Sequence, residues 1–216
     1  MKIYKETISD LLWKVLNRLM IFSELESFRL VGGTSLSLIL GHRISVDIDM
    51  FSDAEYNSID FNVIDKLLQD SFDYVSFSFG GNNSIGKSYY VGNNESELVK
   101  LDLFYTDSFK YPMIQYKGLR LSKLEEIVAM KLEVIGQNGR KKDFWDIHEL
   151  LEHFSMIEML SFYEQRYPYG HTKEEIISKL TDFELADSDL DPICLKEKYW
   201  ELIKLDIEEE VEKNFR

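Results

Sequence analysis

The chain has 216 residues, of which 44% are hydrophobic and 30% are charged. This balance is typical of a globular protein and excludes an intrinsically disordered one, and the length allows a compact αβ core with a helical extension. The formal net charge of −14 excludes a generally basic nucleic-acid-binding protein, so RNA or DNA would need a local basic patch. The same acidic surface can equally receive a basic protein partner.

The first half of the chain alternates predicted helices and strands. In chain order these are a helix from Ile8 to Leu25, a strand over Phe28–Val31, a helix over Leu36–Leu40 capped by Thr34 or Ser35, a strand over Ser45–Phe51 and a helix over Ile59–Leu68. Three strands follow, Tyr74–Phe79, Lys87–Val91 and Leu98–Tyr105. Gly/Asn clusters at 80–83 and 92–94 separate them, which predicts an antiparallel meander.

From Ser122 onward the apolar spacing is helical. Amphipathic segments span 122–137, 143–154, 155–165, 173–180 and 195–213. We therefore expect an α+β fold, in which a mixed β-sheet with flanking helices is followed by a helical C-terminal region. The expected domains are an αβ core over 1–120 and a helical region over 121–216.

The sequence shows neither a predicted membrane-spanning segment nor a predicted signal peptide. No apolar segment approaches the roughly 20 residues that span a bilayer, and the N-terminus lacks the apolar run of a signal peptide. The single cysteine, Cys194, cannot form an internal disulfide and is compatible with a reducing cytosol. We expect a cytoplasmic protein without a membrane segment.

Acidic residues interrupt two of the predicted strands. Because residues two apart on a strand point to the same face, Asp47 and Asp49 emerge together. Asp102 lies in a later apolar strand, and if the two strands are neighbours, all three carboxylates converge on one face. Their mutual repulsion favours a cation, and hard divalent ions such as Mg²⁺ prefer oxygen ligands. For the Asp47–Asp49 pair alone, an ordinary solvated strand face is the simpler interpretation.

The glycine turn before the acidic strand favours the metal-site interpretation. Gly32 and Gly33 allow the backbone to approach a ligand at a helix N-terminus, where free N–H groups favour phosphate. A hydroxyl from Thr34 or Ser35 can add a donor. A double glycine is weak evidence alone, but the order of glycine turn, helix, acid-x-acid strand and later single-acid strand is a specific combination.

This combination resembles the nucleotidyltransferase superfamily typified by DNA polymerase β. More narrowly, residues 30–36 and 41–51 resemble the AbiEii/AbiGii toxin family, which supplies toxins of bacterial toxin–antitoxin and phage-exclusion systems. A second family signature, a helical lysine before an Arg/Lys-Asp-aromatic-aromatic-Asp stretch, corresponds to Lys131 and to the segment Lys142-Asp143-Phe144-Trp145-Asp146. The resemblance covers roughly residues 25–155 and implies a nucleotidyltransferase-type sheet.

The resemblance implies transfer of a nucleotide from an NTP, with Mg²⁺ held by Asp47, Asp49 and Asp102. Whether Asp102 completes the metal site or serves as the base toward the acceptor hydroxyl stays open. An RNA terminus such as the tRNA 3′ end is the implied acceptor, and a cognate antitoxin is the implied partner. Gly32, Gly33, Thr34 and Ser35 would cradle the triphosphate. Two alternatives stay open: a small-molecule nucleotidyltransferase of the antibiotic-modifying type, and a non-catalytic nucleotide-binding module.

The helical region adds three candidate site residues, and Arg43, just before the acidic strand, is a fourth. Lys131 falls within the apolar stripe of its helix, so it either snorkels to solvent or meets a negative partner, and we expect it to neutralise the triphosphate. Asp143 and Asp146 fit either the first turn of a helix or, by the resemblance, an orienting or base role, and which of them acts stays open. Arg43 either holds the triphosphate or pairs with an acid.

Overall fold

The structure is a computed structural model that describes residues 2–80 and 84–215. Its strands are β1 (Arg29–Leu30), β2 (Asp47–Ser52), β3 (Tyr74–Phe79), β4 (Gly86–Asn94), β5 (Glu97–Tyr105), β6 (Ile114–Tyr116) and β7 (Leu119–Leu121). Its α-helices are α1 (Asp10–Met20), α2 (Gly32–Leu40), α3 (Phe61–Ser71), α4 (Leu124–Gly136), α5 (Lys141–Leu150), α6 (Met156–Arg166), α7 (Lys173–Leu180), α8 (Glu184–Asp187) and α9 (Trp200–Phe215).

Within the described ranges the strands form one seven-stranded sheet in the order β3-β4-β5-β2-β1-β7-β6. The meander β3-β4-β5 is antiparallel, as the sequence predicts. In contrast, β2 pairs with β5 in parallel, and β1 pairs antiparallel with β2 but parallel with β7. The sheet is therefore mixed, and the predicted α+β fold class is confirmed.

The chain divides into two compact units. The first, here called the sheet unit, comprises Met1–Ile39 and Ser45–Ser122. The second, the helical unit, comprises Leu40–Ile44 and Lys123–Arg216. The short segment that joins α2 to β2 along the chain therefore belongs to the helical unit.

The core of the sheet unit follows from two periodicities. Along β2, buried and half-buried residues alternate, because neighbouring side chains point to opposite faces. The buried set includes Ile48 and Met50, which are fully enclosed. The helix α1 begins after Ser9, whose hydroxyl accepts a hydrogen bond from the Leu12 amide, and it buries an apolar stripe. That stripe consists of Leu12, Val15, Leu16, Leu19 and Met20.

The helical unit packs around α4, which is apolar on most of its surface. Its buried side chains include Ile127, Val128, Leu132 and Ile135. The helices α6 and α7 each begin with a capping box, in which Ser155 and Thr172 exchange hydrogen bonds with a glutamate three residues later. These caps satisfy amide groups that a helix start leaves without acceptors.

Several predicted boundaries are wrong in detail. The helix α1 ends at Met20 rather than Leu25, and α2 begins at Gly32 rather than near Leu36, so neither Thr34 nor Ser35 caps it. The predicted turn at 92–94 belongs to β4, where the pairing register shifts after Gly92. Of the predicted turn at 80–83, residues 81–83 lie outside the described residues.

Two short strands, β6 and β7, are absent from the sequence prediction. They form a hairpin at one edge of the sheet. Among the described residues, no helix is both long and apolar enough to cross a membrane.

One side chain of the hairpin ties together three parts of the sheet unit. The guanidinium of Arg120 donates to the carbonyl oxygens of Met20, Leu25 and Phe28, at 2.6, 2.9 and 2.8 Å. We expect Arg120→Met to lower the free energy of unfolding by about 2–4 kcal/mol, because three acceptors lose a charged donor. Arg120→Lys should recover only part of this, since an ammonium cannot match the fork of a guanidinium.

Urea-induced unfolding followed by circular dichroism measures this effect. The control is Lys66→Met in α3, which should change stability by less than about 0.5 kcal/mol. An Arg120→Met variant as stable as the control would show that the three bonds contribute nothing net.

Candidate active site

The acid-x-acid pair lies on one face of β2. Asp47 and Asp49 are half-buried, whereas Ile48 between them is fully buried. This is the arrangement that the sequence predicts from strand alternation. The apolar residue between the acids anchors the strand in the core, so both carboxylates are directed to the opposite side.

The strand pairing brings the third acid to the same place. β5 lies parallel to β2, and its register sets Asp102 directly beside Asp49. Neighbouring strands are about 4.8 Å apart, so these two side chains are adjacent on one face of the sheet. Lys100 stands beside Asp47 in the same register. Four charged residues therefore occupy one patch, and the predicted proximity of Asp102 to the pair is present in the structure.

Lys100 forms an ion pair with the third acid. Its Nζ lies 2.5 Å from Asp102 Oδ2. Burial lowers the pKa of Lys100, but the hydrogen bond from its ammonium to Asp102 and the negative charges of Asp102, Asp49 and Asp47 raise it further, so the net shift is upward. The ammonium therefore stays charged and offsets part of the repulsion among the carboxylates.

The other oxygen of Asp102 is in a different environment. Asp102 Oδ1 is buried and accepts no hydrogen bond within the described part of the chain. A buried oxygen that carries negative charge is costly unless a cation or a donor meets it. Among the described residues, no three His, Cys, Asp or Glu side chains are arranged to bind one metal ion. The donor chemistry fits Mg²⁺, since the acids offer only hard oxygen ligands.

The glycine turn contacts the acidic pair. Gly32 has a φ of +64°, a left-handed conformation that glycine adopts at no steric cost. A Cβ at this position would lie 2.5 Å from Asp49 Oδ2. The amide of the preceding residue, Val31, donates to the Asp49 carbonyl oxygen at 2.9 Å. Gly32 thus forms a cradle for the Asp49 carboxylate at the start of α2, where amide groups lack intrahelical acceptors.

The hydroxyls of Thr34 and Ser35, which the sequence leaves as alternatives, differ in their hydrogen bonding in the structure. The Thr34 hydroxyl is hydrogen bonded to the Ser45 hydroxyl, 2.8 Å away, and donates to the carbonyl oxygen of Asp47. The Ser35 hydroxyl is fully buried and forms no hydrogen bond with any described residue. Thr34 therefore ties α2 to the acidic strand, whereas the Ser35 hydroxyl is enclosed without a hydrogen-bond partner among the described residues.

A second charged cluster lies in the helical unit and centres on Asp146, which is fully buried. Its Oδ1 lies 2.7 Å from both His42 Nε2 and Arg43 Nε. Its Oδ2 lies 2.8 Å from Arg43 Nη2 and 2.6 Å from Lys131 Nζ. Of the two alternatives for Arg43, pairing with an acid is the one seen in the structure.

Asp143 holds the other side of Lys131. The ammonium lies 2.6 Å from Asp143 Oδ1, and Asp143 Oδ2 accepts from the Arg140 amide at 3.1 Å. Burial lowers the pKa of Lys131, but the charges of Asp143 and Asp146 raise it above its ordinary value. Burial raises the pKa of Asp146, yet Arg43 and Lys131 hold it well below its ordinary value. Lys131 and Asp146 are therefore both held in their charged forms.

Three consecutive basic residues, Arg140-Lys141-Lys142, lie at the start of α5, and the two lysines have different surroundings. Lys141 Nζ lies 3.0 Å from Asp191 Oδ1. Burial, together with the nearby charges of Arg140 and Lys131, lowers the pKa of Lys142. The negative charge of Asp143 offsets part of this effect.

The predicted site residues thus fall into two groups. The sheet unit brings together Asp47, Asp49, Asp102, Gly32, Gly33, Thr34 and Ser35. The helical unit brings together Arg43, Lys131, Asp143 and Asp146. Lys100 and His42 were not predicted as site residues from the sequence. Lys100 could have been found from its position two residues before Asp102, which places both on one strand face; no sequence signal pairs His42 with Asp146.

Solved structures share this fold. JHP933 from Helicobacter pylori is 19% identical, with a TM-score of 0.60 over 94% of this chain and 88% of that one. MenT4, a nucleotidyltransferase toxin from Mycobacterium tuberculosis, is 13% identical, with a TM-score of 0.55 over 91% of this chain and 79% of that one. At this identity the likeness concerns the fold alone, which is that of the nucleotidyltransferases.

Sequence comparison places the chain more narrowly. Residues 14–216 match the family described as "Nucleotidyl transferase AbiEii toxin, Type IV TA system", and the chain belongs to this family of nucleotidyltransferases. The match extends beyond the segment 25–155 that carries the resemblance in the sequence. An uncharacterized protein of Aquifex aeolicus is 30% identical over 138 residues, which span 57% of this chain and 57% of that protein.

The cradle at Gly32 can be tested with a matched glycine. We expect Gly32→Ala to abolish nucleotidyl transfer, because the new methyl group displaces the Asp49 carboxylate. The control is Gly118→Ala, since Gly118 also has a positive φ, of +84°, but a Cβ there meets nothing within 4 Å. Both variants should lose about 1–2 kcal/mol of stability from backbone strain.

Transfer assays and thermal unfolding of both variants separate the two effects. Equal activity in Gly32→Ala and Gly118→Ala would show that the Gly32 cradle has no role at the site.

The Asp146 cluster predicts a dependence of stability on pH. The folded-state pKa of Asp146 is depressed, so its contribution is present above its ordinary pKa of 3.8 and is lost as the pH falls below it. We expect Asp146→Asn to cost about 3–5 kcal/mol at neutral pH, because buried cations lose their counter-ion. Its stability should also fall less steeply than that of the wild type below that pH.

Urea unfolding at a series of pH values from 7 to 3 checks both expectations. Glu164→Gln, an exposed change on α6, serves as the control and should follow the wild-type curve. If Asp146→Asn matched the wild type at neutral pH, the cluster would not stabilise the helical unit.

Proposed function

We propose that the protein is a Mg²⁺-dependent nucleotidyltransferase that transfers a nucleotide from an NTP to an RNA 3′ end, such as that of tRNA. The observation that carries this is the register of β2 and β5, which sets Asp102 beside Asp49 on the face that Gly32 adjoins. Membership of a toxin family supports a role as the toxin of a bacterial toxin–antitoxin or phage-defence system. A cytoplasmic location, where NTPs and RNA occur together, is part of the proposal.

Each candidate site residue of the sheet unit would have a role in this reaction. Asp47, Asp49 and Asp102 would hold Mg²⁺, which supplies charge compensation for the phosphates. The amide groups at Gly32 and Gly33, with the Ser35 hydroxyl, would donate to the triphosphate. Thr34 keeps this turn attached to the acidic strand.

The transfer itself makes and breaks one bond at phosphorus. The acceptor hydroxyl oxygen bonds to the α-phosphorus, and the bond from that phosphorus to the oxygen bridging to the β-phosphate breaks, which releases pyrophosphate. Asp102 is suited to accept the proton of the acceptor hydroxyl, because its buried Oδ1 has no donor among the described residues.

The roles assigned to the helical unit stay predictions. From the sequence, Lys131 is expected to neutralise the triphosphate, and Asp143 or Asp146 to orient a group or act as a base, so that the helical region completes the active site. In the structure Lys131 already neutralises these two aspartates.

The partner proposals rest on the family and on charge. The family description names a toxin–antitoxin system, which supports a cognate antitoxin. The net charge of −14 disfavours tight non-specific RNA binding, so the acceptor would be selected by its end rather than by an extended backbone contact.

The test is transfer of label to RNA. Purified protein is incubated with Mg²⁺, each labelled NTP in turn and total tRNA, and label in the RNA is measured. We expect incorporation by the wild type and a loss of about 10³-fold or more in Asp49→Asn, because charge compensation at the phosphates is removed. Asp107→Asn, an exposed carboxylate just after β5, should retain activity.

Three outcomes would contradict parts of this proposal. Incorporation that survives in Asp49→Asn would exclude the acidic site. NTP binding without incorporation into RNA would exclude the RNA acceptor and favour a small-molecule acceptor. A wild-type protein that binds no NTP would exclude nucleotidyl transfer altogether.

A further inference from the structure

Lys100 is a basic residue within the acidic patch. It lies two residues before Asp102 on β5, so both side chains project from the same face of the sheet. In the parallel register it stands beside Asp47, and Asp102 stands beside Asp49. A lysine that served only solubility would extend into solvent, but this one bends back to the third acid, with its Nζ 2.5 Å from Asp102 Oδ2.

The two oxygens of Asp102 have different environments as a result. Oδ2 is held by the ammonium, and the side chain of Lys100 is 36% exposed while that of Asp102 is 15% exposed. Oδ1 is buried and has no hydrogen-bond partner in the described part of the chain. An ion pair on one oxygen restricts rotation of the carboxylate about its side-chain bonds, so the second oxygen keeps one direction.

We propose that Lys100 is a positioning residue, which holds Asp102 Oδ2 so that Oδ1 faces the reacting groups. This rests on the proposed nucleotidyl transfer. The ammonium also offsets one of the three negative charges of the trio, which weakens the attraction of the patch for a divalent cation. Lys100 thus improves the geometry of Asp102 at the expense of cation affinity.

Lys100 is thus expected to raise the rate of transfer but to weaken cation binding. Because a substitution should change these two quantities in opposite directions, the role can be tested. In Lys100→Met the carboxylate loses its fixed orientation, so we expect kcat to fall at least tenfold while KM for the NTP changes less than threefold. The same variant should bind Mn²⁺ at least threefold more tightly, because a positive charge leaves the patch. Lys100→Arg should restore kcat to within threefold of the wild type, since a guanidinium can hold the same oxygen.

Steady-state kinetics and Mn²⁺ binding followed by electron paramagnetic resonance provide the two readouts, with thermal unfolding as the check on folding. The control is Lys213→Met at the end of α9, whose side chain is 72% exposed. It removes an ion-paired lysine outside the patch and should change neither readout. If Lys100→Met does not fold, Lys100→Gln is measured in its place.

Other results would overturn the proposal. A rise in KM with unchanged kcat would mean that Lys100 binds the nucleotide directly. Unchanged kcat and Mn²⁺ affinity, or weaker Mn²⁺ binding in a folded variant, would mean that it does not position Asp102. If the wild type shows no transfer, the proposed function fails, but the Mn²⁺ titration still decides whether Lys100 moderates the charge of the trio.

Discussion

The parallel pairing of β2 with β5 is the constraint on which the acidic patch depends. It sets Asp49 beside Asp102 and Asp47 beside Lys100. The register is secured by the opposite face, where Ile48 and its buried neighbours on both strands are enclosed in the core. A slip of one residue would turn these apolar side chains outward, at a cost of about 1.5–3 kcal/mol for each. Hydrophobic burial therefore holds the carboxylates together against their mutual repulsion.

The helical unit meets a different electrostatic problem, since its charges are buried rather than half-exposed. Asp146 is fully buried and is neutralised by Arg43 and Lys131. A buried ion costs several kcal/mol in desolvation, and only close, hydrogen-bonded partners offset it. Through Asp146, the cluster links the segment 40–44 to Lys131 on α4 and to α5 itself. The side chains of the cluster therefore hold one another in place without a ligand.

Elements that are long enough to show a regular apolar pattern could be predicted from the sequence, whereas short or irregular elements could not. The strand Tyr74–Phe79 and the helix at 173–180 occur at the predicted positions. The start of α2 was missed because Gly32, with its positive φ, lies within the helix start rather than in a separate turn. The strands β6 and β7 have three residues each, too few to show a period of two. Their places depend on pairing with distant strands.

The same distinction applies to the candidate site. Strand alternation alone directs Asp47 and Asp49 to one face, and the same rule applied to β5 would have found Lys100. The ion-pair partner of a charged residue cannot be found in this way, because the two partners can be far apart in the chain. Arg43 and Asp146, for example, are separated by 103 positions. Thr34 and Ser35 illustrate the limit, since both offer a hydroxyl beside the glycine turn. Only the folded chain brings Ser45 to Thr34, and it leaves the buried Ser35 hydroxyl without a hydrogen-bond partner among the described residues.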